Sequence, residues 1–379
     1  MDKGSDVYRM LQKHIDNMPV GFPESESGSE IRLLKNLFTP EEAEIALELS
    51  ALPESLERIH KRLKKTDISI DDLEKSLDEM VKKGAILGGK IFKNKGPGKY
   101  YSKSMLAIGM YELQGENLTK EFEETFQDYM NEEFYKVIHS SKTSQMRTIP
   151  INKSIKPERY VGSYDDVRDL VMNTTEDITV VKCICRHGND LVENQCKHSD
   201  IRETCLIFEE IASFAIDAGA RAITKDEAFE ILERAENAGF VLQPENNQKP
   251  HFICCCCGCC CNVLRTVKKF PRPVEYYHSN YYSKIDPELC DSCWECVVKC
   301  QLDALSIEDN GSTVNLDRCI GCGVCVTTCP NNAIELMAKE NTYVPLKDHD
   351  SLYNKIMAER FGMFGMLKMM PKMILGKKI

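Results

Sequence analysis

Apolar residues recur at helical spacing over much of the first half of the chain. The stretch TPEEAEIALELS begins at Thr39 and has Glu42 three residues later, which is the pattern of a capping box at the start of a helix. The stretch SIDDLEKSLDEMVKKG begins at Ser69, repeats apolar residues every three or four positions, and ends at Gly84. We therefore predict helices from Thr39, over Glu54–Lys65, and from Ser69.

The pattern then changes to an apolar run, AILGGKIF, and a second short run, KYYSKS, on either side of a turn around Gly96-Pro97-Gly98. Runs of this kind predict a β-hairpin. Three helices followed by a hairpin resemble a winged-helix domain, and we place it at residues 1–115. Lys and Arg outnumber Asp and Glu by 13 to 8 between Glu54 and Lys103, so DNA binding is one alternative for this domain. Protein docking is the other.

A different pattern follows in the middle of the chain. Residues 116–182 combine a helical stretch rich in Glu and aromatic residues with an extended linker, and they end in DITVVKCIC, a predicted strand that brings Cys183 and Cys185 together. Two amphipathic helices are predicted over Thr204–Ala218 and Thr224–Asn237. We therefore expect a mainly helical, cysteine-rich centre at residues 183–270.

The cysteine content of the chain indicates metal or redox chemistry. The chain has 19 cysteines and a formal net charge of −10, and no cysteine occurs before residue 183. The opening MDKGSDVYRMLQKHIDNM lacks the apolar run of a secretory signal, so we predict a cytoplasmic location. Clustered thiols in a reducing compartment indicate metal or redox chemistry rather than disulfides. The oxygen sensitivity of such centres favours an anaerobic host.

Eight of the cysteines form two runs of identical spacing, CxxCxxCxxxC, and the sequences around the runs also repeat 29 residues apart. Three thiolates in so tight a loop can surround an iron–sulfur cubane, and the fourth leads into a helix. The arrangement resembles the two-cluster [4Fe–4S] ferredoxins of bacteria. The resemblance implies a βαββαβ-like module at residues 280–340. It assigns one cluster to Cys290, Cys293, Cys296 and Cys329, and the other to Cys319, Cys322, Cys325 and Cys300.

The first repeat departs from this family pattern at two positions. Trp294 stands where the second repeat has Gly323, and Gln301 stands where the second repeat has Pro330. Gly and Pro shape the cluster loop, so we expect the first cluster to differ in potential or stability. Packing, shielding of the cluster and docking of a partner are the three roles considered for Trp294, with packing preferred.

The remaining cysteines precede the ferredoxin module and are too densely placed for core packing to explain them all. We interpret them as ligands of at least one additional iron–sulfur cluster, and their number allows two. Zinc, a thiol or persulfide relay, and a disulfide relay remain alternatives. Arg186 would offset part of the thiolate charge, and His187 or His198 is an alternative ligand. The candidate ligands are Cys183, Cys185, Cys196, Cys205, Cys254, Cys255, Cys256, Cys257, Cys259, Cys260 and Cys261.

The last segment, residues 341–379, is basic and rich in Met. Its most apolar part, FGMFGMLKMMPKMIL, is interrupted by Lys368, Pro371 and Lys372, so we do not predict a transmembrane helix. We expect this tail to pack on the protein or on a partner, with weak contact to a membrane surface as the alternative.

The whole chain resembles a group of uncharacterised 4Fe–4S ferredoxin-domain proteins of anaerobes that share a winged-helix-like N-terminus. These features predict a multidomain α+β protein that relays low-potential electrons to or from a partner oxidoreductase. The motifs indicate no substrate pocket, general base or organic cofactor, so a carrier or oxidoreductase subunit is favoured over a complete enzyme. Two alternatives stay open: an electron-transfer subunit of a reductive enzyme with chemistry at the central cluster, and a redox-sensing regulator that binds DNA.

Overall fold

The structure is a computed structural model, and it describes residues 3–64, 66–89, 98–217, 219–308, 311–374 and 378. The chain divides into two compact units. Met1–Ser141 and Tyr353–Ile379 form the first unit, and Lys142–Leu352 form the second. The predicted central domain and the predicted ferredoxin module both lie in the second unit, and the boundary between them stays a prediction.

The first unit combines helices with a small antiparallel sheet. Its helices before residue 142 are α1 (Lys3–Ile15), α2 (Ser29–Leu37), α3 (Pro40–Ala46), α4 (Leu56–Arg62), α5 (Ile70–Lys82), α6 (Lys120–Tyr129) and α7 (Tyr135–Ile138). Its strands are β1 (Glu54–Ser55), β2 (Ile86–Gly89) and β3 (Tyr100–Lys103), in the order β1-β3-β2. Helix α5 buries one apolar face, which contains Leu73, Leu77 and Met80.

The helix starts predicted in this unit are confirmed by their caps. The Thr39 hydroxyl accepts a hydrogen bond from the N–H of Glu42 at 3.2 Å, and the Glu42 carboxylate accepts one from the N–H of Thr39 at 2.8 Å. The Ser69 hydroxyl accepts one from the N–H of Asp72 at 3.1 Å and starts α5. Each cap satisfies N–H groups that the first helical turn leaves without a partner.

The hairpin prediction is met in part. Strands β2 and β3 pair in antiparallel register, with Leu87 opposite Ser102, while Gly96 and Pro97 of the predicted turn lie outside the described residues. The helix predicted over Glu54–Lys65 is shorter, because Glu54 and Ser55 form β1 and pair with β3. The assignment of this region to the winged-helix class stays a prediction.

The second unit is organised on a five-stranded antiparallel sheet. In chain order its strands are β4 (Ile178–Lys182), β5 (Glu203–Ile207), β6 (Arg221–Ile223), β7 (Val241–Pro244) and β8 (Phe252–Cys256). They lie in the order β6-β4-β5-β8-β7. The helices of this region are α8 (Val167–Met172), α9 (Ile184–Leu191), α10 (Glu209–Asp217), α11 (Lys225–Asn237) and α12 (Asn262–Val267).

This sheet corrects the predicted mainly helical centre. Among the described residues between 183 and 270 there are four helices, and two of them, α10 and α11, contact strands β4 and β5 of the sheet. The helix predicted from Thr204 begins only at Glu209, because residues 203–207 alternate between half-buried and buried side chains and extend as β5. The helix predicted from Thr224 is confirmed: the Thr224 hydroxyl caps α11, and Gly239 follows its end with φ +77°.

The sheet separates two apolar cores because successive side chains of a strand point to opposite faces. Leu242, Ile253 and Cys255 belong to the first core, with Ile231 and Leu232 of α11. The second core lies across the sheet and contains Val241, Cys256, Cys261, Leu264 and Val267. Strand β8 therefore distributes consecutive cysteines between two cores.

The predicted ferredoxin module has its elements in the order strand, helix, strand, strand, helix, strand. They are β9 (Tyr281–Ile285), α13 (Glu295–Lys299), β10 (Leu305–Glu308), β11 (Gly311–Val314), α14 (Val324–Thr328) and β12 (Ile334–Ala338). Strand β9 pairs with β12 and β10 pairs with β11, both antiparallel. A shared apolar cluster includes Cys296 and Leu305 of the first repeat and Cys325 and Ile334 of the second, so the two repeats fold as one body.

Helix α15 (His349–Ile374) ends the described fold, and its backbone is kinked at Gly362, which has φ +65°. Within the part of the chain that the structure describes, no helix combines the length and the apolar character needed to cross a membrane. The proposed contacts of the Met-rich tail stay a prediction.

Candidate metal sites

The first cysteine of each ferredoxin repeat receives a backbone hydrogen bond from the other half of the module. The N–H of Ser312 donates to Cys290 Sγ at 3.4 Å, and the N–H of Ser283 donates to Cys319 Sγ at 3.5 Å. Both donors and both acceptors are 29 residues apart, so the sequence repeat is also a repeat of contacts. Such N–H groups stabilise a thiolate, and the pKa of Cys290 is lowered chiefly by the N–H of Ser312.

The fourth cysteines follow the same rule. The N–H of Ala304 donates to Cys300 Sγ at 3.2 Å, and the N–H of Ala333 donates to Cys329 Sγ at 3.3 Å. Again the two pairs are 29 residues apart. Each fourth cysteine follows its helix rather than leading into one, and Cys300 shares a cavity with Cys319 and Cys322 of the other repeat.

A cavity inside the module collects the thiols that the ferredoxin resemblance assigns to one cluster. It is partly open to solvent, and Ser283 and Val324 are among its lining residues. The cysteines that line it are Cys300, Cys319, Cys322 and Cys325. Four thiols around one space, with backbone N–H donors on two of them, fit the donor set of a [4Fe–4S] cluster.

The two cysteine sets of the module differ in their exposure. Cys293 is exposed and Cys290 is half-buried, whereas Cys319 and Cys325 are buried. Burial raises the pKa of Cys322 to about 12, because an uncoordinated thiolate is poorly solvated there. The set that contains Cys293 therefore lies nearest to solvent, and the set that contains Cys322 lies inside the protein.

Trp294 adopts the same left-handed backbone as the glycine it replaces. Its φ is +69° and that of Gly323 is +76°, so the loop conformation is kept at the cost that a side chain with a Cβ carries there, roughly 1–2 kcal/mol. The side chain is 56% exposed. Packing in a core, the role preferred from the sequence, is therefore wrong for Trp294.

Gln301, the second departure from the repeat, joins the module to the central cysteine loop. Its Oε1 accepts a hydrogen bond from the N–H of Gly258 at 2.7 Å, and its Nε2 donates to the carbonyl of Gly239 at 3.0 Å. The side chain is only 2% exposed, while Pro330 at the equivalent position is exposed. A side chain at residue 258 would lie 2.2 Å from the Gln301 carbonyl, so glycine is required there.

The eleven central cysteines separate into two groups and one single residue. A four-thiol group has its sulfur atoms all within 4.8 Å of one another and consists of Cys196, Cys257, Cys259 and Cys260. A six-thiol group is linked by successive side-chain hydrogen bonds and consists, in the order of those bonds, of Cys183, Cys185, Cys261, Cys256, Cys254 and Cys205. Cys255 belongs to neither.

The six-thiol group lies on the face of the sheet that carries the second apolar core. Cys205 and Cys254 are opposite each other on β5 and β8, and Cys256 follows on the same face of β8. Hydrogen bonds from the Cys205 and Cys185 thiols lower the pKa values of Cys254 and Cys261 respectively. The neighbouring thiols therefore stabilise the thiolate form, which is the form that binds metals, at Cys254 and Cys261.

Cys255 is a core residue. It is 1% exposed and packs in the first apolar core with Leu242 and Ile253. Burial raises its pKa, and unlike the shifts of its neighbours this one includes no hydrogen bond to another thiol. Its assignment as a candidate metal ligand is therefore not supported, and it accounts for the odd number of cysteines.

Arg186 lies close to both thiol groups. Its guanidinium donates to the Thr204 hydroxyl and to the Cys255 carbonyl, and it stacks 3.9 Å from the centre of the Phe240 ring. Burial lowers the pKa of Arg186, but the negative charge of Cys183, Cys257 and further cysteines more than offsets this and raises it. A buried, permanently charged cation is therefore available to compensate thiolate charge.

A carboxylate with two imidazoles forms a group that the sequence analysis did not identify. Glu245 Oε1 accepts from His349 Nδ1 at 2.6 Å, and Oε2 accepts from Asn247 Nδ2 at 2.8 Å and from the His251 N–H at 3.0 Å. The two imidazole rings stack with centroids 4.6 Å apart. Because both carboxylate oxygens already have donors, we interpret the group as an ion pair between a buried carboxylate and the half-buried His349. No local motif connects residues so distant in sequence.

The basic segment of the first unit is partly neutralised. Arg58 and Arg62 pair with Glu54, Lys83 pairs with Glu42, and Lys99 lies between two carboxylates of α5. Less positive charge is therefore available to phosphates than the count of basic residues indicates.

Comparison with known proteins agrees with the geometry of the C-terminal module. A family model described as a 4Fe-4S binding domain matches residues 312–335. Together with the paired cysteine sets, this match supports a 4Fe–4S ferredoxin module in the C-terminal region.

Two relatives from methanogens show similarity over short stretches. Pyruvate synthase subunit PorD of Methanocaldococcus jannaschii is 35% identical over 57 residues, which are 15% of this chain and 66% of that subunit. A protein of Methanothermobacter thermautotrophicus described as uncharacterized is 44% identical over 52 residues, which are 13% of this chain and 11% of that protein. The chain spans less than two thirds of the length of either relative.

Proposed function

We propose that the protein relays single electrons between a partner oxidoreductase and thiolate centres in the middle of its own chain. The [4Fe–4S] clusters supply the one-electron carriers. One is held by Cys290, Cys293, Cys296 and Cys329, and the other by Cys319, Cys322, Cys325 and Cys300. The six-thiol group holds at least one additional iron–sulfur cluster.

The position of Cys322 is the observation that carries this proposal. Its side chain belongs to the ferredoxin cavity, and it packs against both apolar cores of the central sheet. One of these cores contains Cys257 and Cys260, and the other contains Cys256 and Cys261. A carrier held by Cys322 therefore lies next to the central thiols, with packed protein rather than water between them.

The contact between Gln301 and Gly258 supports the same route. Gln301 follows Cys300 in sequence, and Gly258 lies between Cys257 and Cys259. Their hydrogen bond joins a proposed ligand of the inner ferredoxin cluster to the central loop through a few covalent bonds and one short contact. It also fixes the separation of the two sites.

The outer end of the route is the exposed edge of the module. Cys293 is exposed, Trp294 is 56% exposed and Val298 is 70% exposed. An exposed ligand beside apolar side chains is suited to electron exchange with another protein. The likeness to a subunit of pyruvate synthase supports an oxidoreductase complex as that partner.

Metal content on anaerobically purified protein tests the proposal. We expect more than about eight iron and eight acid-labile sulfide per chain, since two [4Fe–4S] clusters supply about eight of each. Cys322→Ala should lose about four iron and retain the central iron. Cys255→Ala changes the buried cysteine that belongs to neither group. It is the matched control and should retain all the iron of the wild-type protein.

Reduction experiments on the same variants test the direction of the relay. A donor that reaches the exposed edge should reduce the central cluster in the wild-type protein and in Cys255→Ala, and much more slowly in Cys322→Ala. Wild-type protein with only about eight iron, or a Cys322→Ala protein without any iron, would contradict the proposal.

A further inference from the structure

We propose that Cys196, Cys257, Cys259 and Cys260 bind a single thiophilic metal ion, zinc or iron, in a tetrahedral tetrathiolate site separate from every iron–sulfur cluster of the protein. This site goes beyond the electron relay proposed above, which requires a cluster only in the six-thiol group and in the ferredoxin module.

The sulfur–sulfur distances fit one ion. Cys196 Sγ lies 3.6 Å from Cys257 Sγ and 3.8 Å from Cys259 Sγ, and Cys259 Sγ lies 3.6 Å from the sulfurs of both Cys257 and Cys260. A tetrahedron with metal–sulfur bonds of about 2.3 Å has edges of about 3.8 Å. These distances are much longer than a disulfide bond of about 2.05 Å, so the four thiols surround a point rather than pair.

The ferredoxin cysteines of the same structure provide an internal comparison. Among the described residues, the groups of three or more potential ligands within 4.8 Å are the four-thiol group and the Glu245 group, and neither includes a ferredoxin cysteine. The ferredoxin thiols instead surround a cavity, as the ligands of a polynuclear cluster must. The sulfurs of the four-thiol group instead lie close to one another, as the ligands of a single ion do.

The surroundings suit a thiolate site with a net negative charge. The backbone N–H of His198 faces the sulfur of Cys196, and that of Lys197 faces the sulfur of Cys259. Hydrogen bonds from such groups to metal-bound sulfurs orient the ligands and tune the site. The Arg186 guanidinium adds a buried positive charge near Cys196 and Cys257.

The loop explains how three ligands come from four residues. Gly258 lies between Cys257 and Cys259, and its N–H is held by Gln301, which leaves the two flanking side chains turned to the same side. Cys260 follows at once, and Cys196 approaches from the segment after α9. Soft thiolates in tetrahedral S₄ geometry select zinc or iron rather than magnesium or calcium.

The test is metal and sulfide analysis of the full chain, purified anaerobically, as wild type, Cys259→Ala and Cys196→Ala, with Cys255→Ala as the matched control. We expect both ligand variants to lose about one metal ion per chain without loss of sulfide, and the control to lose none. Loss of about one zinc identifies zinc, and loss of about one iron with the isolated high-spin ferric signal in EPR identifies iron.

X-ray absorption at the edge of the lost metal provides the second readout. If the lost metal is zinc, we expect about four sulfur neighbours at about 2.3 Å and no metal–metal scattering. The zinc edge then reports on this site alone, because we expect no other zinc site in the protein. Loss of about four iron together with sulfide in Cys259→Ala would overturn the proposal, as would unchanged metal content in both folded ligand variants. Circular dichroism identifies folded variants, and Cys322→Ala, which tests the relay, should retain this ion.

Discussion

The N–H of Gly258 donates to Oε1 of Gln301 at 2.7 Å, and through this bond the central cysteine loop is attached to the ferredoxin module. Gln301 replaces the proline of the second repeat, and its Nε2 also donates to the Gly239 carbonyl after α11. A single side chain thus contacts the loop, the end of a helix and its own module.

Replacement of Gln301 tests this connection. Gln301→Met keeps the length of the side chain but leaves the buried N–H of Gly258 without an acceptor, so we expect the free energy of unfolding to fall by about 1–3 kcal/mol. Anaerobic urea denaturation measures it. Leu316→Ala, at a residue 55% exposed, is the surface control and should change it by less than about 0.5 kcal/mol. Equal stability of Gln301→Met and wild type would contradict the prediction.

Trp294 should report on the outer cluster. It is the only tryptophan of the chain and adjoins Cys293, so a cluster at that cysteine should quench its fluorescence. We expect the emission to rise when iron is removed by a chelator, and to be high already in Cys293→Ala. Cys322→Ala, which affects the inner site, should stay quenched. Emission that does not depend on Cys293 would show that no cluster lies beside Trp294.

Two serines related by the internal repeat should tune the two ferredoxin clusters separately. The Ser283 hydroxyl lies 3.1 Å from Cys325 Sγ, and the Ser312 hydroxyl lies 3.6 Å from both Cys290 Sγ and Cys296 Sγ. Hydrogen bonds to cluster sulfurs raise the reduction potential.

We therefore expect Ser283→Ala to lower the potential of the inner cluster by an amount on the order of tens of millivolts, and Ser312→Ala to do so for the outer one. Redox titration followed by EPR measures both, and each variant is the control for the other. A shift of both potentials in either variant would contradict the assignment of one serine to each cluster.

The Glu245–His349 pair should make stability depend on pH. Burial raises the pKa of Glu245, but His349 and His251 lower it below its ordinary 4.5; the pKa of His349 is lowered by burial and raised more by Glu245, above 6.5. The contribution of the Glu245 carboxylate to the free energy of unfolding is present above pH 4.5 and is lost as pH falls through the pKa of Glu245 in the folded protein. The imidazolium contribution is present below pH 6.5 and is lost as pH rises through its folded pKa.

His349→Gln should therefore reduce stability most between pH 4.5 and 6.5, and the difference from wild type should shrink at higher pH. The pKa of His251 is lowered, chiefly by burial, so protonation of His251 destabilises the fold as pH falls and opposes the stabilisation by protonated His349. Glu210 and Asp350 are the other charged groups near these imidazoles. Denaturation midpoints against pH measure the effect. His278→Gln, at an imidazole bonded to a backbone carbonyl, is the control, and a loss independent of pH would contradict the ion-pair interpretation.

Features encoded by local sequence were predicted well. The caps at Thr39, Ser69 and Thr224 depend on residues three positions apart, so their spacing alone indicates where a helix begins. The two CxxCxxCxxxC runs likewise contain most of the geometry of the ferredoxin loops. The serines that contact those cysteines were overlooked, although the same repeat of 29 residues relates Ser283 to Ser312.

Features that depend on tertiary pairing were not predicted. The sequence predicts a helix from Thr204, because it does not show that Cys205 pairs with Cys254 across two strands. The sequence leaves one or two clusters open for the central cysteines, because their division into two sites depends on which face of β8 each one occupies. Glu245 and His349 meet only in the folded chain and follow no spacing rule.

The pleat of β8 has a consequence for how the protein acquires its metals. Cys254 and Cys256 face one side of the sheet and Cys255 the other, and the loop beyond continues the separation, with Cys260 in one core and Cys261 in the other. The four-thiol and six-thiol groups therefore share a loop but no sulfur atom. If the two groups bind the centres proposed above, an ion in one does not compete for the ligands of the other, and the fold sets no order in which the two centres must be inserted.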